Sequence, residues 1–198
     1  MFRQTAFALA RVAALLLLLA GLSLLAPGRG AAEPARDALS GPGPLVVMLR
    51  HALAPGTGDP AGFTLGDCST QRNLDDRGRA QAARIGAALR EAGFAPDAVL
   101  TSGWCRCRET AELIGLGAPE RFQPLDSFFG NRAEGPAQTA ALKARLAAMG
   151  DGEKLLLVTH QVNITALTGI FPSSGEAVVF RPAADGAPEV IGTVETGW

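Results

Sequence analysis

Continuous apolar runs alternate with amphipathic segments along most of the chain. Residues 44–50, 97–101 and 154–159 are short runs in which apolar residues predominate. Runs of this length and character are typical of strands that are buried on both faces of a parallel sheet. Residues 75–93 instead place alanine, isoleucine and leucine at roughly helical spacing and end at a glycine. This pattern predicts an amphipathic helix with a C-terminal stop.

The order of these elements indicates the fold. Strand, helix, strand, helix and strand follow one another, which predicts an α/β fold: a three-layer α/β/α sandwich with a mostly parallel sheet. Residues 54–73 contain four glycines and two prolines and are predicted to form a loop after the first strand. The other predicted helices are 106–114, 137–149 and 164–169, and the other predicted strands are 122–125, 176–181 and 189–194.

Residues 1–32 have the layout of a secretory signal peptide. A basic start precedes an uncharged, largely apolar stretch at 12–27, and small residues lead to a cleavage site expected after Ala32. The stretch is shorter than the roughly 20 residues that cross a bilayer comfortably, so an uncleaved anchor is the less favoured alternative. We therefore expect an exported protein, periplasmic or secreted, with a linker at 33–43 and one domain at 44–198.

The balance of charge favours a small ligand over a polymer. The formal net charge is −1, whereas proteins that bind nucleic acid usually carry a strong basic excess. Arginines nevertheless occur near the predicted strand ends, at positions 50, 72, 106 and 108. This distribution favours a small anionic substrate, and we expect no nucleic-acid partner and no stable membrane insertion after signal cleavage. The oligomeric state is left open.

Three cysteines, Cys68, Cys105 and Cys107, allow more than one pairing. In an exported protein an odd number indicates one disulfide and one free thiol, or no bridge. A bridge from Cys68 to either Cys105 or Cys107 would join the loop 54–73 to the turn after the second strand. The Cys-x-Cys spacing differs from that of standard zinc sites, so we predict no metal centre.

The two histidines of the chain both follow predicted strands. His51 comes directly after Arg50 at the end of the first strand, and His160 follows the run 154–159. The carboxyl ends of such strands meet where open α/β sheets build their ligand sites. The turn after the second strand leads into a helix that carries Arg106, and a helix N-terminus with an arginine fork favours a phosphate group.

Together these groups predict chemistry at phosphorus. One imidazole can attack phosphorus and form a covalent intermediate, and arginines offset the charge on the phosphoryl oxygens in the transition state. A carboxylic acid is then required to protonate the departing oxygen. Neither a metal ion nor another cofactor needs to be invoked. The structural alternative for each histidine is a hydrogen-bonded side chain at a buried strand end.

At these residues the chain resembles the histidine phosphatase superfamily, the phosphoglycerate-mutase-like group. The similar segments follow the family's order across about residues 44–181. Alanine at position 52 departs from the glycine of the family's Arg-His-Gly signature. The segments are 49–52, similar to that signature; 74–82, similar to the Leu-x-x-x-Gly-x-x-Gln-Ala helix; 101–111, similar to the segment with the second catalytic arginine; and 158–160, similar to the segment with the second histidine.

The resemblance implies a phosphoglycerate-mutase-like fold and a role for each matched residue. His51 would be the phosphorylated nucleophile. Arg50, Arg106 and His160 would hold the phosphoryl group. Arg72, which lies just before the matched helix, is a candidate contact for the far end of the substrate.

For the general acid, the resemblance leaves two candidates. The family's acid usually lies four residues before a glycine, and Gly130 points back to Asp126. Aspartate is one methylene shorter than the commoner glutamate, and Glu134 lies in the same loop. We expect Asp126 to be the acid and keep Glu134 as the alternative.

These expectations describe a metal-independent phosphatase that hydrolyses phosphomonoesters through a phosphohistidine at His51. Two alternatives of the same fold are a phosphohistidine protein phosphatase and a phosphomutase. An alternative of a different class is a catalytically silent, phosphate-binding module of the cell envelope. The sequence does not indicate the natural substrate, and the loops 54–73 and 126–136 are predicted to set selectivity.

Overall fold

The computed structural model describes residues 32–194, so the predicted signal peptide, apart from its last residue, lies outside the described residues. Within this range no helix is long and apolar enough to cross a membrane. The helices are α1 (Ala32–Ser40), α2 (Asp76–Glu91), α3 (Cys105–Ile114), α4 (Gly135–Ala147) and α5 (Gln161–Thr168). The strands are β1 (Leu45–Arg50), β2 (Ala98–Thr101), β3 (Pro119–Arg121), β4 (Lys154–Thr159), β5 (Ala177–Pro182) and β6 (Pro188–Val194).

The six strands of the described range form one sheet in the order β3-β2-β4-β1-β5-β6. Strand β1 pairs in parallel with β4, β4 with β2, and β2 with β3. Strand β5 runs antiparallel to β1, and β6 runs antiparallel to β5. The predicted α/β fold with a mostly parallel sheet is therefore confirmed, with the antiparallel pairs confined to one edge.

Alternate residues of β1 face opposite layers of the sandwich. Leu45, Val47 and Leu49 belong to an apolar cluster that also contains residues of α1, α2 and α3. Val46 and Met48 belong to a second cluster, with residues of α4 and α5. All five side chains are fully buried. A strand that is apolar on both faces thus separates two helical layers, as its continuous apolar run predicts.

The sequence predicts a linker at 33–43, and the structure corrects this. Residues 32–40 form α1, and its side chains Ala35 and Leu39 are fully buried in the core. The Leu39 carbonyl also accepts a hydrogen bond from Lys154 Nζ at 2.9 Å. Two apolar residues four positions apart are enough to give a short helix a buried stripe, and the prolines and glycines around them obscured it.

The prediction of a strand at 122–125 is also wrong. The third strand in chain order is β3, at Pro119–Arg121, and a 3₁₀ turn follows at Gln123–Leu125. Pro124 has no backbone N–H, so it cannot donate to the hydrogen-bond ladder of a strand. Leu125 is buried as predicted for a strand residue, but it reaches the core from a turn.

Three parallel strands end at the same edge of the sheet. The backbone N–H of His51 donates to the Thr159 carbonyl at 2.9 Å, and that of Ser102 donates to the Val158 carbonyl at 3.1 Å. These hydrogen bonds align the ends of β1, β2 and β4. The residues that follow the strands, among them His51 and His160, therefore meet at one edge.

Helix α2 supports the segment that follows His51. A Cβ atom on Gly78 would lie 2.0 Å from the Leu53 carbonyl oxygen, so the helix and this segment approach more closely than any side chain would allow. Gln81 Oε1 accepts from the Leu53 N–H at 2.8 Å, and its Nε2 donates to the Ser174 carbonyl at 2.9 Å. The glycine and glutamine of the 74–82 segment thus fix the loop beside the first histidine.

Candidate active site

His51 is held in one tautomer by its own neighbour. Its side chain is buried, and Nδ1 lies 2.8 Å from the Ala52 carbonyl oxygen. A carbonyl oxygen can only accept, so Nδ1 carries the proton and Nε2 carries the lone pair. Arg106 Nε donates a long hydrogen bond to this lone pair at 3.3 Å. The unprotonated Nε2 is the nitrogen that could attack a phosphorus atom.

The surroundings of His51 keep the ring neutral. Burial and the charge of Arg106 lower the pKa of His51 to about 3. Both effects disfavour the imidazolium ion, because it would be desolvated and would face a positive guanidinium. An imidazole that is neutral at neutral pH has its lone pair available for nucleophilic attack.

His160 lies beside His51, with the two ring centroids 5.5 Å apart. Ser102 Oγ lies 2.8 Å from His160 Nε2 and accepts a hydrogen bond from the Trp104 N–H at 3.2 Å. Arg106 Nη2 lies 3.5 Å from the other ring nitrogen, Nδ1. Burial and the charge of Arg106 lower the pKa of His160 well below its usual value.

Arg106, the second residue of α3, forms a bidentate ion pair with an aspartate. Its Nη1 lies 2.7 Å from Asp59 Oδ1 and its Nη2 lies 3.1 Å from Asp59 Oδ2. The guanidinium is almost fully buried, at 3% exposure. Asp59 also accepts from the Arg72 N–H at 3.2 Å and from Trp104 Nε1 at 3.0 Å. This carboxylate fixes the orientation of Arg106 against His51.

Asp59 is a residue that the sequence analysis missed. It is the sole charged residue between positions 54 and 66, within a loop rich in glycine and proline. That isolation is the signal that could have singled it out. Burial opposes its charge, but hydrogen bonds and the charge of Arg106 prevail and hold the pKa of Asp59 below its usual value. Asp59 is therefore ionised at neutral pH.

Arg50 and Arg72 complete the cluster of positive charge. Arg50 Nη1 donates to the Pro172 carbonyl at 2.8 Å, whereas its buried Nε has no hydrogen-bond partner among the described residues. Arg72 donates to the backbone carbonyls of Gly58 and Ala54 and so holds the loop that carries Asp59. Burial and the charge of Arg106 lower the pKa of both arginines.

The five predicted residues with basic side chains line one cavity of about 750 Å³. They come from four separate parts of the chain: Arg50 and His51, Arg72, Arg106, and His160. Arg108, the fourth arginine noted in the sequence, is half exposed and pairs with Glu112 at 3.5 Å. The structure therefore brings the predicted phosphate-binding groups together at the strand ends.

The two candidate acids lie in different settings. Asp126 is buried, with Oδ1 accepting from the Gly103 N–H at 2.6 Å and Oδ2 paired with Arg121 Nη2 at 2.7 Å. Glu134 instead lies on the wall of the cavity. Its carboxylate accepts from Asn131 Nδ2 at 2.8 Å and from Gln138 Nε2 at 3.2 Å. Both oxygens of Asp126 are thus paired, one with the turn after β2 and one with Arg121 at the end of β3. Both oxygens of Glu134 are hydrogen-bonded as well, but Glu134 lines the cavity that a substrate would occupy.

A disulfide joins Cys68 to Cys105. It ties the loop that carries Asp59 and Arg72 to the first residue of α3, next to Arg106. Cys107 is unpaired and buried, and burial raises the pKa of its thiol to about 12. Among residues 32–194 no group of three or more His, Cys, Asp or Glu side chains is arranged to hold a metal ion.

Comparison with known proteins agrees with this geometry. Residues 46–128 match the family model of the histidine phosphatase superfamily, branch 1. This segment begins in β1 and contains His51, Arg72, Arg106 and Asp126. The resemblance predicted from the sequence is therefore confirmed, and we assign this segment to the histidine phosphatase superfamily. No curated protein matches the chain.

Solved structures share the fold at low sequence identity. The protein histidine phosphatase SixA, in complex with tungstate, superposes with a TM-score of 0.56 at 18% identity, over 77% of this chain and 97% of that one. A mycobacterial glucosyl-3-phosphoglycerate phosphatase gives 0.52 at 17%, over 77% and 96%. A phosphoserine phosphatase from Entamoeba histolytica, bound to 3-phosphoglyceric acid, gives 0.51 at 14%, over 78% and 98%. The phosphoglycerate-mutase-like fold is thereby confirmed.

Proposed function

We propose that the protein is a phosphatase that hydrolyses phosphomonoesters through a phosphohistidine at His51, without a metal ion. The observation that carries the proposal is the unprotonated Nε2 of His51, fixed by the Ala52 carbonyl and faced by Arg106 and His160. The assignment to the histidine phosphatase superfamily supports phosphatase or mutase activity as the general class.

The reaction follows in two displacements. In the first, the lone pair of His51 Nε2 forms a bond to phosphorus, and the bond from phosphorus to the ester oxygen breaks. The departing oxygen takes a proton from the general acid and leaves as an alcohol. In the second, a water oxygen attacks phosphorus, the P–N bond breaks, and its electron pair returns to Nε2. The water gives up a proton to the carboxylate, and inorganic phosphate is released.

Arg50, Arg106 and His160 hold the phosphoryl group in this proposal. Arg50 and His160 lie where they can donate to the phosphoryl oxygens, and Arg106, whose terminal nitrogens are paired with Asp59, offsets the negative charge of the transition state through its own positive charge. Arg106 also keeps His51 neutral through its charge. Arg72 acts mainly on the loop, since its guanidinium is bound to the Gly58 and Ala54 carbonyls.

Asp59 adjusts the charge of the cavity. Arg50, Arg72 and Arg106 supply three positive charges, and the Asp59 carboxylate removes one. The resulting balance matches a phosphomonoester dianion. Because Asp59 occupies both terminal nitrogens of Arg106, the guanidinium cannot turn away from His51. Asp59 is thus a positioning residue for Arg106.

Glu134 is the better candidate for the general acid, and Asp126 remains the alternative. Glu134 lines the cavity, whereas the Asp126 carboxylate is bound to Gly103 and Arg121. Asp126 then has a positioning role: it fixes Gly103, two residues before the first residue of α3. This proposal reverses the order of preference that the family pattern gave.

Hydrolysis is proposed over mutase activity because, within residues 32–194, no segment between helices and strands is longer than the one that contains the loop 54–73, so no large insertion closes over the cavity to retain the product. Incubation with a phosphomonoester and an excess of a second alcohol separates the two. We expect phosphate to be released into water. Transfer of most of the phosphate to the alcohol would favour a mutase.

The covalent step is tested with a ³²P-labelled phosphomonoester and rapid quenching in alkali. We expect about one alkali-stable, acid-labile phosphate per molecule, which is absent from His51→Gln. Turnover should be unaffected by a chelator. Tight phosphate binding without labelling or turnover would favour the silent binding module, and chelator-sensitive turnover would contradict the metal-free mechanism. Release of phosphate from a phosphohistidine protein, but from no small ester, would favour the protein phosphatase.

Export to the periplasm or the medium is part of the proposal. The Cys68–Cys105 disulfide supports it, because disulfides persist mainly in oxidising compartments. Fractionation of cells that express the full chain checks this. We expect a shortened protein outside the cytoplasm that lacks the first 32 residues, and a full-length cytoplasmic protein would contradict export.

A further inference from the structure

The cavity extends well beyond the space that a phosphate group fills. Its volume of about 750 Å³ lies within the range of pockets that enclose an organic molecule, about 300–1,000 Å³. The basic groups occupy the part around His51. Four of the other lining residues are aromatic: Phe63, Trp104, Phe129 and Phe171.

Two of these rings continue directly from the candidate catalytic pair. The Trp104 ring meets the His160 ring edge to face, with centroids 5.3 Å apart. The Phe63 ring lies 5.5 Å from the Trp104 ring at an interplanar angle of 37°. Trp104 is buried, whereas Phe63 is 36% exposed. We call His160, Trp104 and Phe63 the aromatic wall, which runs from the phosphoryl site to the partly exposed ring of Phe63.

Covalent and polar contacts hold the aromatic wall in place. Trp104 Nε1 donates to Asp59 Oδ2 at 3.0 Å, so the indole has its polar group satisfied within the protein. The neighbouring Cys105 is bridged to Cys68, in the loop that carries Phe63. A surface that is rigid before binding loses little conformational entropy when a ligand occupies it.

Phe129 and Phe171 add exposed apolar surface to the same cavity. Phe171 is 73% exposed and Phe129 is 48% exposed. Exposed aromatic side chains grouped around a cavity are typical of ligand sites rather than of ordinary protein surface. Asn131, Glu134 and Gln161 also line the cavity and offer hydrogen-bonding groups.

We propose that the alcohol part of the substrate carries a flat aromatic ring with polar atoms, which lies against the aromatic wall while its phosphate meets His51. This proposal rests on the proposed phosphatase function and names its substrate class. The fixed rings of Trp104 and Phe63 favour a ligand that packs an aromatic ring against them. A hydrocarbon chain would offer no polar atom to Asn131, Glu134 and Gln161, and a small polyol would leave the aromatic surface exposed to water.

Two matched pairs of substrates test the ring itself. Adenosine 5′-monophosphate and ribose 5-phosphate release similar primary alcohols and differ in the base. 2-Phenylethyl phosphate and hexyl phosphate differ in ring against chain. We expect kcat/KM and the affinity measured by calorimetry to be about tenfold higher for the ring-bearing member, since stacking on a protein aromatic changes binding by roughly fivefold to a hundredfold. The first pair represents nucleotides, and the second represents simple aryl compounds.

Substitutions of Phe63 test whether the preference for ring-bearing substrates arises at the aromatic wall. In Phe63→Ala the ratio of kcat/KM between adenosine 5′-monophosphate and ribose 5-phosphate should fall at least threefold, and in Phe63→Leu it should fall similarly because leucine is apolar without a ring. Leu113→Ala is the matched control, since Leu113 is 37% exposed on α3 and outside the cavity lining. Its ratio should equal that of the wild type.

The outcomes separate the two proposals. Equal kcat/KM and equal affinity for both members of both pairs would overturn the aromatic substrate class and leave the phosphatase function standing. A preference for hexyl phosphate over 2-phenylethyl phosphate would also overturn it, in favour of a lipid-like alcohol. Absence of turnover for every ester, with tighter binding of the ring-bearing members, would overturn the phosphatase function and support the ring site.

Discussion

The protonation state of the two imidazoles decides whether the cavity can support nucleophilic attack. Because burial and Arg106 hold the pKa of His51 at about 3 and lower that of His160, we expect both rings to be neutral at pH 5. The chain has two histidines, so ¹⁵N NMR of the untagged protein should show two imidazoles. Neither should titrate between pH 5 and 8, and His51 should be the Nδ1–H tautomer.

Inorganic phosphate provides the control for this measurement. Its negative charge favours the imidazolium ion, so saturation with phosphate should raise the pKa of His51 while the protein stays folded. A ring that titrates near 6.5 in the free protein would contradict the buried, positively charged setting. A His51 signal of the Nε2–H tautomer would contradict the assignment of Nε2 as the nucleophile.

The identity of the acid can be measured through the leaving group. An alkyl phosphate needs protonation of its departing oxygen, whereas p-nitrophenyl phosphate leaves readily without it. We expect Glu134→Gln to lower kcat for an alkyl ester by about 10²- to 10⁴-fold, the usual contribution of a general acid, and to affect the nitrophenyl ester far less. Asp126→Asn is the comparison. If Asp126→Asn gives the leaving-group-dependent loss instead, Asp126 is the acid.

At the residue scale the sequence indicates groups whose position follows from a strand end. His51, His160 and Arg106 follow β1, β4 and β2, and parallel strands bring their ends together whatever the loops do. Asp59 lies on a loop, and its ion pair with Arg106 spans 47 residues. No local pattern encodes such a contact, so Asp59 needed the structure, whereas the sequence already offers Glu134 as the alternative acid.

At the scale of elements, the approach of α2 to the loop after His51 gives a direct test. Gly78→Ala places a Cβ 2.0 Å from the Leu53 carbonyl oxygen, so helix and loop must separate. Overpacking of this kind costs about 1–3 kcal/mol, which exceeds the gain of about 1 kcal/mol in helix propensity. Urea unfolding should show a lower free energy of unfolding, and kcat should fall because the loop adjoins the nucleophile.

Gly150→Ala is the matched control for this substitution. Gly150 has no atom within 4 Å of the added Cβ and lies outside the cavity lining. Its stability and kcat should stay close to those of the wild type. Equal stability of Gly78→Ala and Gly150→Ala would show that the contact between α2 and the Leu53 carbonyl is not under steric constraint.

Most elements follow from the apolar pattern of the sequence. Strands β1, β2, β4, β5 and β6 and helices α2, α3 and α4 are each found within two residues of their predicted bounds. Helix α1 was missed because just two of its residues, Ala35 and Leu39, form its buried stripe. Leu125 was placed in a strand because its burial resembles that of a strand residue, although the fold delivers it from a 3₁₀ turn.

At the scale of the whole molecule, the core and the site differ in the electrostatic cost of burying their side chains. The two apolar layers bury side chains at no electrostatic cost. The cavity instead gathers two buried imidazoles, three arginines and the carboxylates of Asp59 and Glu134. The disulfide and the buried pair of Asp59 with Arg106 hold these groups in place. The arginines of the site thus repel one another in the folded protein, and a bound phosphate dianion would reduce this repulsion.

Burial of the two histidines, together with this repulsion, makes the stability of the folded protein depend on pH. Both histidines are neutral in the folded state, because their pKa values are lowered, to about 3 for His51. In the unfolded chain they bind protons below about pH 6.5. The unfolded state therefore binds more protons as the pH falls, and the free energy of unfolding decreases between pH 6.5 and 3. Each histidine contributes roughly 1 kcal/mol per pH unit at most.

Urea unfolding at pH 7, 6 and 5, with the disulfide oxidised, measures this slope. The wild type should lose stability over the whole interval, and His51→Gln should lose it about half as steeply because one histidine remains. The pKa values of Asp59 and Glu153 are lowered in the folded protein. These carboxylates therefore lose their stabilising contribution at a more acid pH and change the slope between pH 5 and 7 little. Equal stability at pH 5 and 7, or an unchanged slope in His51→Gln, would mean that His51 is protonated as readily in the folded protein as in the unfolded chain.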